Sequence, residues 1–142
     1  MRSIAAAIVI ALLAVQPAWA EIARVKRAVG TTAIERAGKR LPLAPGFKIE
    51  ERDVLVTGKD GRVSLTFIDN TRFSAGPNSR IAVNEFRFDR TTQRGSFVTA
   101  VDRGSLAVVS GQIAKSKRDA MKVRTPTSLL GVRGTKFVVE VD

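Results

Sequence analysis

The sequence predicts a single all-β domain. Turn-forming residues punctuate it every eight to twelve positions, and the segments between them are rich in Val, Ile, Phe and Thr. Those segments alternate in polarity, as half-buried strands do. No segment carries a sustained helical repeat, and the one candidate helical turn falls at 118–121.

The first 20 residues stand apart from this pattern. Arg2 opens them, an apolar run from Ile4 to Val15 follows, and then come Pro17 and Ala18-Trp19-Ala20. A short charged start, an apolar middle and an Ala-x-Ala site form the order of a cleavable secretory signal. The apolar run is shorter than the roughly 20 residues a membrane-spanning helix needs, and Pro17 interrupts it. Cleavage is expected between Ala20 and Glu21, which leaves 21–142 as the domain. Its expected place is outside the cytoplasm, secreted or associated with the cell surface if no inner compartment holds it.

Candidate strands then follow at 24–29, 32–36, 54–57, 62–68, 72–75, 80–88, 96–101, 105–109, 121–124 and 136–141. Val63, Leu65 and Phe67 share one face while Ser64 and Thr66 share the other; Phe137, Val139 and Val141 alternate with Val138 and Glu140. Asp60-Gly61, Asp69-Asn70, Pro77-Asn78 and Asp102-Arg103-Gly104 supply turn chemistry between strands. The charged stretch 115–119 reads as an exposed loop. Strands this short predict a compact β-roll or an irregular β-solenoid, with a two-sheet β-sandwich as the alternative.

Composition narrows the chemistry. The chain has 24 Lys and Arg against 13 Asp and Glu, a net charge of +11, with no Cys, His or Tyr and a single Trp, Trp19, inside the expected signal. Ser-His-Asp and Cys-His catalysis and the usual His or Cys zinc sites are therefore absent, as are disulfides and cysteine lipid anchors. The 13 carboxylates show no spacing that pairs two for glycoside chemistry, and no Asp-x-Asp-x-Asp calcium loop occurs. Neither an enzyme nor a cofactor or metal is predicted. The positive charge suits phosphates, but nucleic acid is not the expected partner of an exported chain whose phenylalanines sit mostly at core-like positions. Phe86 and Phe88 are the one pair that reads as exposed. Anionic envelope polymers fit a basic exported domain better.

Three segments share one plan: Asp60-Gly61-Arg62-Val63-Ser64-Leu65, Asn70-Thr71-Arg72-Phe73-Ser74-Ala75 and Asn78-Ser79-Arg80-Ile81-Ala82-Val83. Each runs turn residue, any residue, arginine, apolar, small, apolar, which suggests successive rungs or hairpins. Rungs in register would set Arg62, Arg72 and Arg80 about 4.8 Å apart per strand. Such a stack needs either ion pairs, with Asp60, Asp69 and Glu85 the nearest acids in sequence, or a bound anion along an arginine strip. Gly131-Val132-Arg133-Gly134-Thr135 is the most distinctive block. It reads as a tight turn with Arg133 paired to a carboxylate, or as a small anion nest with the guanidinium adding donors.

Five blocks in order resemble the FecR domain. They are the run from Gly46 through Asp53-Val54-Leu55-Val56-Thr57-Gly58, then Leu65 to Thr71 including Asp69, then Gly76-Pro77-Asn78-Ser79, then Arg124-Thr125-Pro126, and Gly131-Val132-Arg133-Gly134-Thr135-Lys136-Phe137. The resemblance extends from Val29-Gly30 to Val141. It implies an all-β periplasmic module. In the iron-citrate regulators that give the family its name, such a domain receives a signal from a TonB-dependent outer-membrane receptor. It passes the signal through a transmembrane helix to a cytoplasmic segment that controls a sigma factor.

A cleaved signal ahead of the domain would remove the cytoplasmic half of that mechanism. The expected function is then a non-enzymatic binding or signalling module that recruits an envelope protein through an exposed sheet edge, with 136–141 as the candidate edge. A structural protein holding anionic envelope polymer is the alternative. If the signal stays uncleaved as an anchor, sigma-factor regulation returns. The sequence specifies no oligomeric state.

Overall fold

The computed structural model describes residues 20–134 and 136–142. The expected signal lies outside the described residues except for Ala20, as does Thr135. The chain forms β1 (Ala23–Val29), β2 (Thr32–Arg36), β3 (Lys39–Pro42), β4 (Lys48–Ile49), β5 (Val54–Thr57), β6 (Arg62–Phe67), β7 (Arg72–Ala75), β8 (Arg80–Phe88), β9 (Gly95–Val109), α1 (Gln112–Ser116), β10 (Met121–Arg124), β11 (Leu129–Val132) and β12 (Lys136–Val141).

Strand pairing makes one curled, open sheet in the order β3-β2-β5-β8-β9-β7-β6-β1-β4. Its spine is β9. The first half of β9 pairs with β8 on one side and, in parallel, with β10 on the other. Its second half pairs with β7 and β12. Two limbs therefore share β9: β4-β1-β6-β7-β9-β12, and β3-β2-β5-β8-β9-β10-β11. Because side chains alternate along each strand, one face of each limb is apolar and the two faces close on a common core. Phe67, Phe73, Phe86 and Phe97 meet there with ring centroids 4.7 to 5.5 Å apart.

The result is the expected all-β roll, with the two-layer character of a sandwich. It does not stack rungs as a solenoid would, because neighbouring strands run in opposite directions: β1–β6, β6–β7 and β7–β9 are all antiparallel. Asn70 (φ 71°) and Asn78 (φ 53°) adopt the left-handed backbone that such reversals need.

The structure corrects four expectations. Residues 96–101 and 105–109 belong to one strand, β9, and Asp102-Arg103-Gly104 is its bend. Gly104 has φ 90° there, and the pairing with β8 shifts register between Arg80 and Ile81, so the strand turns from one limb to the other. The helical turn is α1, upstream of 118–121, because Ile113 and Ala114 are the residues that bury; Met121 lies in β10. Phe86 is buried and stacks on Phe67, and Phe88 packs partly against the core. Finally, β3, β4 and β11 appear where no strand was expected. Each closes a limb's border and lacks the alternating buried face that marks inner strands.

Candidate functional site

Most residues of the family-like blocks turn out to be joints of the fold. Asp53 is buried, and its carboxylate accepts hydrogen bonds from Arg36 Nε (2.8 Å), Arg36 Nη2 (2.6 Å) and the Glu50 N–H (2.8 Å). The Thr57 hydroxyl donates to the Gly76 carbonyl and accepts from the Ser79 N–H. The Ser79 hydroxyl faces the Gly76 and Ser105 carbonyls and accepts from the Ser105 N–H. Asp69, fully buried, accepts from the Thr71 N–H and hydroxyl and from the Ile113 N–H, tying the β6–β7 turn to α1. The Asn78 N–H donates to the Gly58 carbonyl. Buried polar groups satisfied this completely hold strands in register; they offer nothing to a ligand.

The closing blocks are equally local. Thr125 bonds the Ser128 carbonyl beside an exposed Pro126. Gly131 is inside β11, opposite Lys122, where a Cβ would strike the Asp119 carboxylate. Arg133 and Gly134 follow the strand; the Gly134 carbonyl accepts from the Ser110 hydroxyl. Arg133 is exposed and, among the described residues, forms no ion pair.

The three repeat arginines do not form one stack. Antiparallel register sets Arg72 opposite Thr66, four positions along β6 from Arg62, or about 13 Å at the rise of a strand. Both project from the outer face of the first limb, at opposite ends of the hairpin. Arg80 lies in the other limb, where it pairs with Glu35 (2.9 Å) and approaches Asp102 (3.6 Å). Asp60, Asp69 and Glu85 are not its partners. The hydrogen bond from Arg80, aided by Arg40, holds the Glu35 carboxyl below its ordinary 4.5.

The outer face of the first limb has its own organisation. One cross-strand row runs Arg27, Ser64, Ser74, Ala107, Val138, and the next runs Val29, Arg62, Gly76, Ser105, Glu140. Small side chains in the middle leave a shallow groove of about 550 Å³, with Arg27 and Arg62 at its β1–β6 end and Val138 and Glu140 at the β12 end. A bulge between Val25 and Arg27 leaves two cations, Lys26 and Arg27, exposed, and Arg27 lines the groove. Arg27, Arg62, Arg72 and Lys136 form no ion pair among the described residues, whereas Arg36, Arg40, Arg80 and Arg87 of the other limb all do. This face therefore carries unpaired positive charge, as do Arg103, Lys122, Arg124 and Arg133 elsewhere among the described residues. Sequence reading missed Arg27 and the groove; the small residues at outward positions 64, 74, 105 and 107 were the available signal.

The face ends at β12, which among the described residues pairs only with β9. The Gly76 N–H donates to the Ser105 carbonyl (3.0 Å), so Ser105 and its alternates on β9 turn their backbone toward β7. Val108, Leu106 and Gly104 then serve Phe137, Val139 and Val141. By the same alternation the backbone N–H and C=O groups of Lys136, Val138 and Glu140 point away from the sheet. The candidate edge at 136–141 is therefore an edge in the structure. Among the described residues, three of the four large apolar side chains left exposed lie on β11 and β12: Val138 (64%), Leu129 (54%) and Leu130 (47%). Behind β12 a second hollow of about 550 Å³ is lined by Leu130, Val139, Val141 and the turn Thr125–Ser128.

Among the described residues no group of three or more acidic, His or Cys side chains is placed to hold a metal, and no helix is long and apolar enough to cross a membrane. Comparison with curated proteins and with solved structures finds no match. A family model described as FecR protein matches residues 53–142, beginning at the buried Asp53, so the match leaves out β1 to β4, of which the resemblance from Val29 onward had included β2 to β4. Covering well over half of the sequence, and all of the strands from β5 to the free edge, that match makes the chain a member of the FecR family.

Proposed function

We propose that the protein is an exported binding module that recruits a protein partner in the bacterial envelope along the free edge of β12. As a FecR-family chain it is not an enzyme. One observation carries the reading: β12 offers three outward-facing backbone positions beside exposed Val138, Leu129 and Leu130. Addition of a partner strand to such an edge gives affinity through main-chain bonds and specificity through alternate side chains. Proteins normally blunt an edge of this kind.

The test is capture from envelope extract by wild type and by Val138→Pro. Proline at 138 deletes an outward N–H while sparing the bonds to β9, so the fold should persist and specific capture should fall. Equal capture by both would overturn the edge reading. Export is tested separately by N-terminal sequencing of the protein from its host, which should begin at Glu21 or within a residue or two. An uncleaved start would return the anchored, sigma-regulating reading.

The cation-rich groove supports a second reading, attachment to an anionic envelope polymer. Salt separates the two. Polymer attachment weakens steeply with ionic strength, while strand addition persists.

A further inference from the structure

The outward positions of β12 read Lys136, Val138, Glu140. Turned end for end, the same strand reads Glu140, Val138, Lys136. Laid antiparallel against a second copy with Val138 opposite Val138, each Lys136 therefore meets a Glu140. On the inner face Val139 of one copy lies opposite Phe137 of the other, both apolar. Moving the axis to Lys136 or to Glu140 would instead set like charges face to face, which destabilises an antiparallel pair.

We propose that two copies of the chain pair β12 to β12 about a twofold axis at Val138. The pairing is isologous, so each surface satisfies its own duplicate. All three residues that face one another have outward N–H and C=O groups, so the pairs 136/140, 138/138 and 140/136 are the hydrogen-bonded ones. The six-stranded first limb becomes a twelve-stranded sheet, the exposed Val138 is covered, and the unpaired edge disappears. Because the axis is perpendicular to the sheet, both outer faces lie on one side. The row Arg27, Ser64, Ser74, Ala107, Val138 then continues into its copy, and the two cationic grooves form one track.

The inference uses the edge on which the proposed partner contact rests, and it makes the second copy and the partner competitors for that edge. Sedimentation equilibrium of the purified chain over a wide concentration range should show a monomer–dimer equilibrium. Lys136→Glu or Glu140→Lys alone should weaken it roughly tenfold, since two ion pairs become two repulsions. Lys136→Glu with Glu140→Lys should restore it, because the palindrome is rebuilt with the signs exchanged. The chain has no cysteine, so Val138→Cys gives a clean second readout. Hydrogen-bonded partners have Cα atoms about 5.5 Å apart, within disulfide reach, and mild oxidation should link the copies through Val138→Cys but not through Ala107→Cys.

A wild-type monomer at every concentration, or a double charge exchange no better than the single ones, overturns the proposal. Failure here is distinguishable from failure of the partner reading. The charge-exchanged chain keeps its backbone edge, so capture lost only with Val138→Pro would leave the partner contact standing without the dimer. Capture indifferent to Val138→Pro beside an intact dimer would leave the reverse.

Discussion

Arg36 and Asp53 are joined by two parallel hydrogen bonds, Nε at 2.8 Å and Nη2 at 2.6 Å, across the end of β2 and the start of β5. The carboxylate is 1% exposed while the guanidinium is 28% exposed and also lies over the Phe47 ring at 5.6 Å. The fork geometry fixes the direction of both chains as well as their separation. Asp53 hydrogen-bonded pairing raises the Arg36 guanidinium above its ordinary value. Asp53→Ala would leave the Glu50 N–H without its acceptor and the guanidinium with only the Glu50 carboxylate (3.3 Å) and the Lys48 carbonyl (3.1 Å), and should cost about 1–3 kcal/mol in urea unfolding. Arg36→Met together with Asp53→Leu should recover much of that loss; a double variant no more stable than Asp53→Ala would contradict this account.

The bend of β9 supplies a second prediction. Gly104 has φ 90°, and a Cβ there would run into the Cα and hydroxyl of Ser79, the side chain that receives the Ser105 N–H. Gly104→Ala combines left-handed backbone strain with collision in a closed corner, and should destabilise by at least about 2 kcal/mol. Ser79→Ala removes the acceptor without strain and should cost about 1–2 kcal/mol, the loss of a buried hydrogen bond. If Ser79→Ala proved the more damaging of the two, the bend would not depend on the glycine.

These joints explain what the sequence made legible. β5, β7, β8, β10 and β12 match their expected spans because each alternates more and less buried residues, and β2 matches as a short run of buried Thr32, Ala33 and Ile34. β3, with Lys39, Arg40 and Pro42, has no buried face and owes its pairing to β2 alone. The site was legible in the same partial way. Period-two alternation identified β12, but its palindrome acquires meaning only once the sheet order leaves its edge free. The arginine repeat marked three similar hairpin entries, yet spacing along a chain does not say which limb a strand joins. Arg80 consequently stands apart from Arg62 and Arg72.

The aromatic core gives a third prediction. Phe97 is 0% exposed and contacts Phe67, Phe73 and Phe86. Phe97→Ala should lose about 3–5 kcal/mol, the transfer and cavity cost of a buried ring. Phe88→Ala, at the half-buried end of β8, should cost clearly less in the same urea titration. Equal losses would mean that the four-ring cluster is not the centre of the core.

Acid should weaken the fold by a definable route. The Arg80 hydrogen bond lowers Glu35 below 4.5, and the backbone N–H of Thr31 lowers Asp60 below 3.8. Groups with depressed folded values bind fewer protons in the native state, so their stabilisation is complete above the unfolded value and fades as pH falls through the folded one. Urea midpoints should therefore hold down to about pH 5 and decline below about pH 4. Glu35→Gln should flatten part of that decline. An unchanged slope in Glu35→Gln would assign the acid sensitivity to other carboxylates.

The cationic groove yields the last prediction, and the division of the arginines sharpens it. Arg62 and Arg72 face solvent without an ion pair, while Arg80 is engaged by Glu35 and Asp102. Charge reversal at Arg80 should thus act mainly on stability. Arg62→Glu with Arg72→Glu should leave unfolding almost unchanged and lower the salt needed to elute the protein from immobilised lipopolysaccharide. Arg87→Glu is the control: it reverses an exposed charge, one beside Glu85, on β8 of the other limb. Screening acts alike on all exposed charges, so net charge alone would make each reversal count the same. Retention that falls per charge as much for Arg87→Glu as for the groove pair would reduce the effect to net charge. A loss specific to Arg62 and Arg72 would locate the polymer on the first limb's outer face.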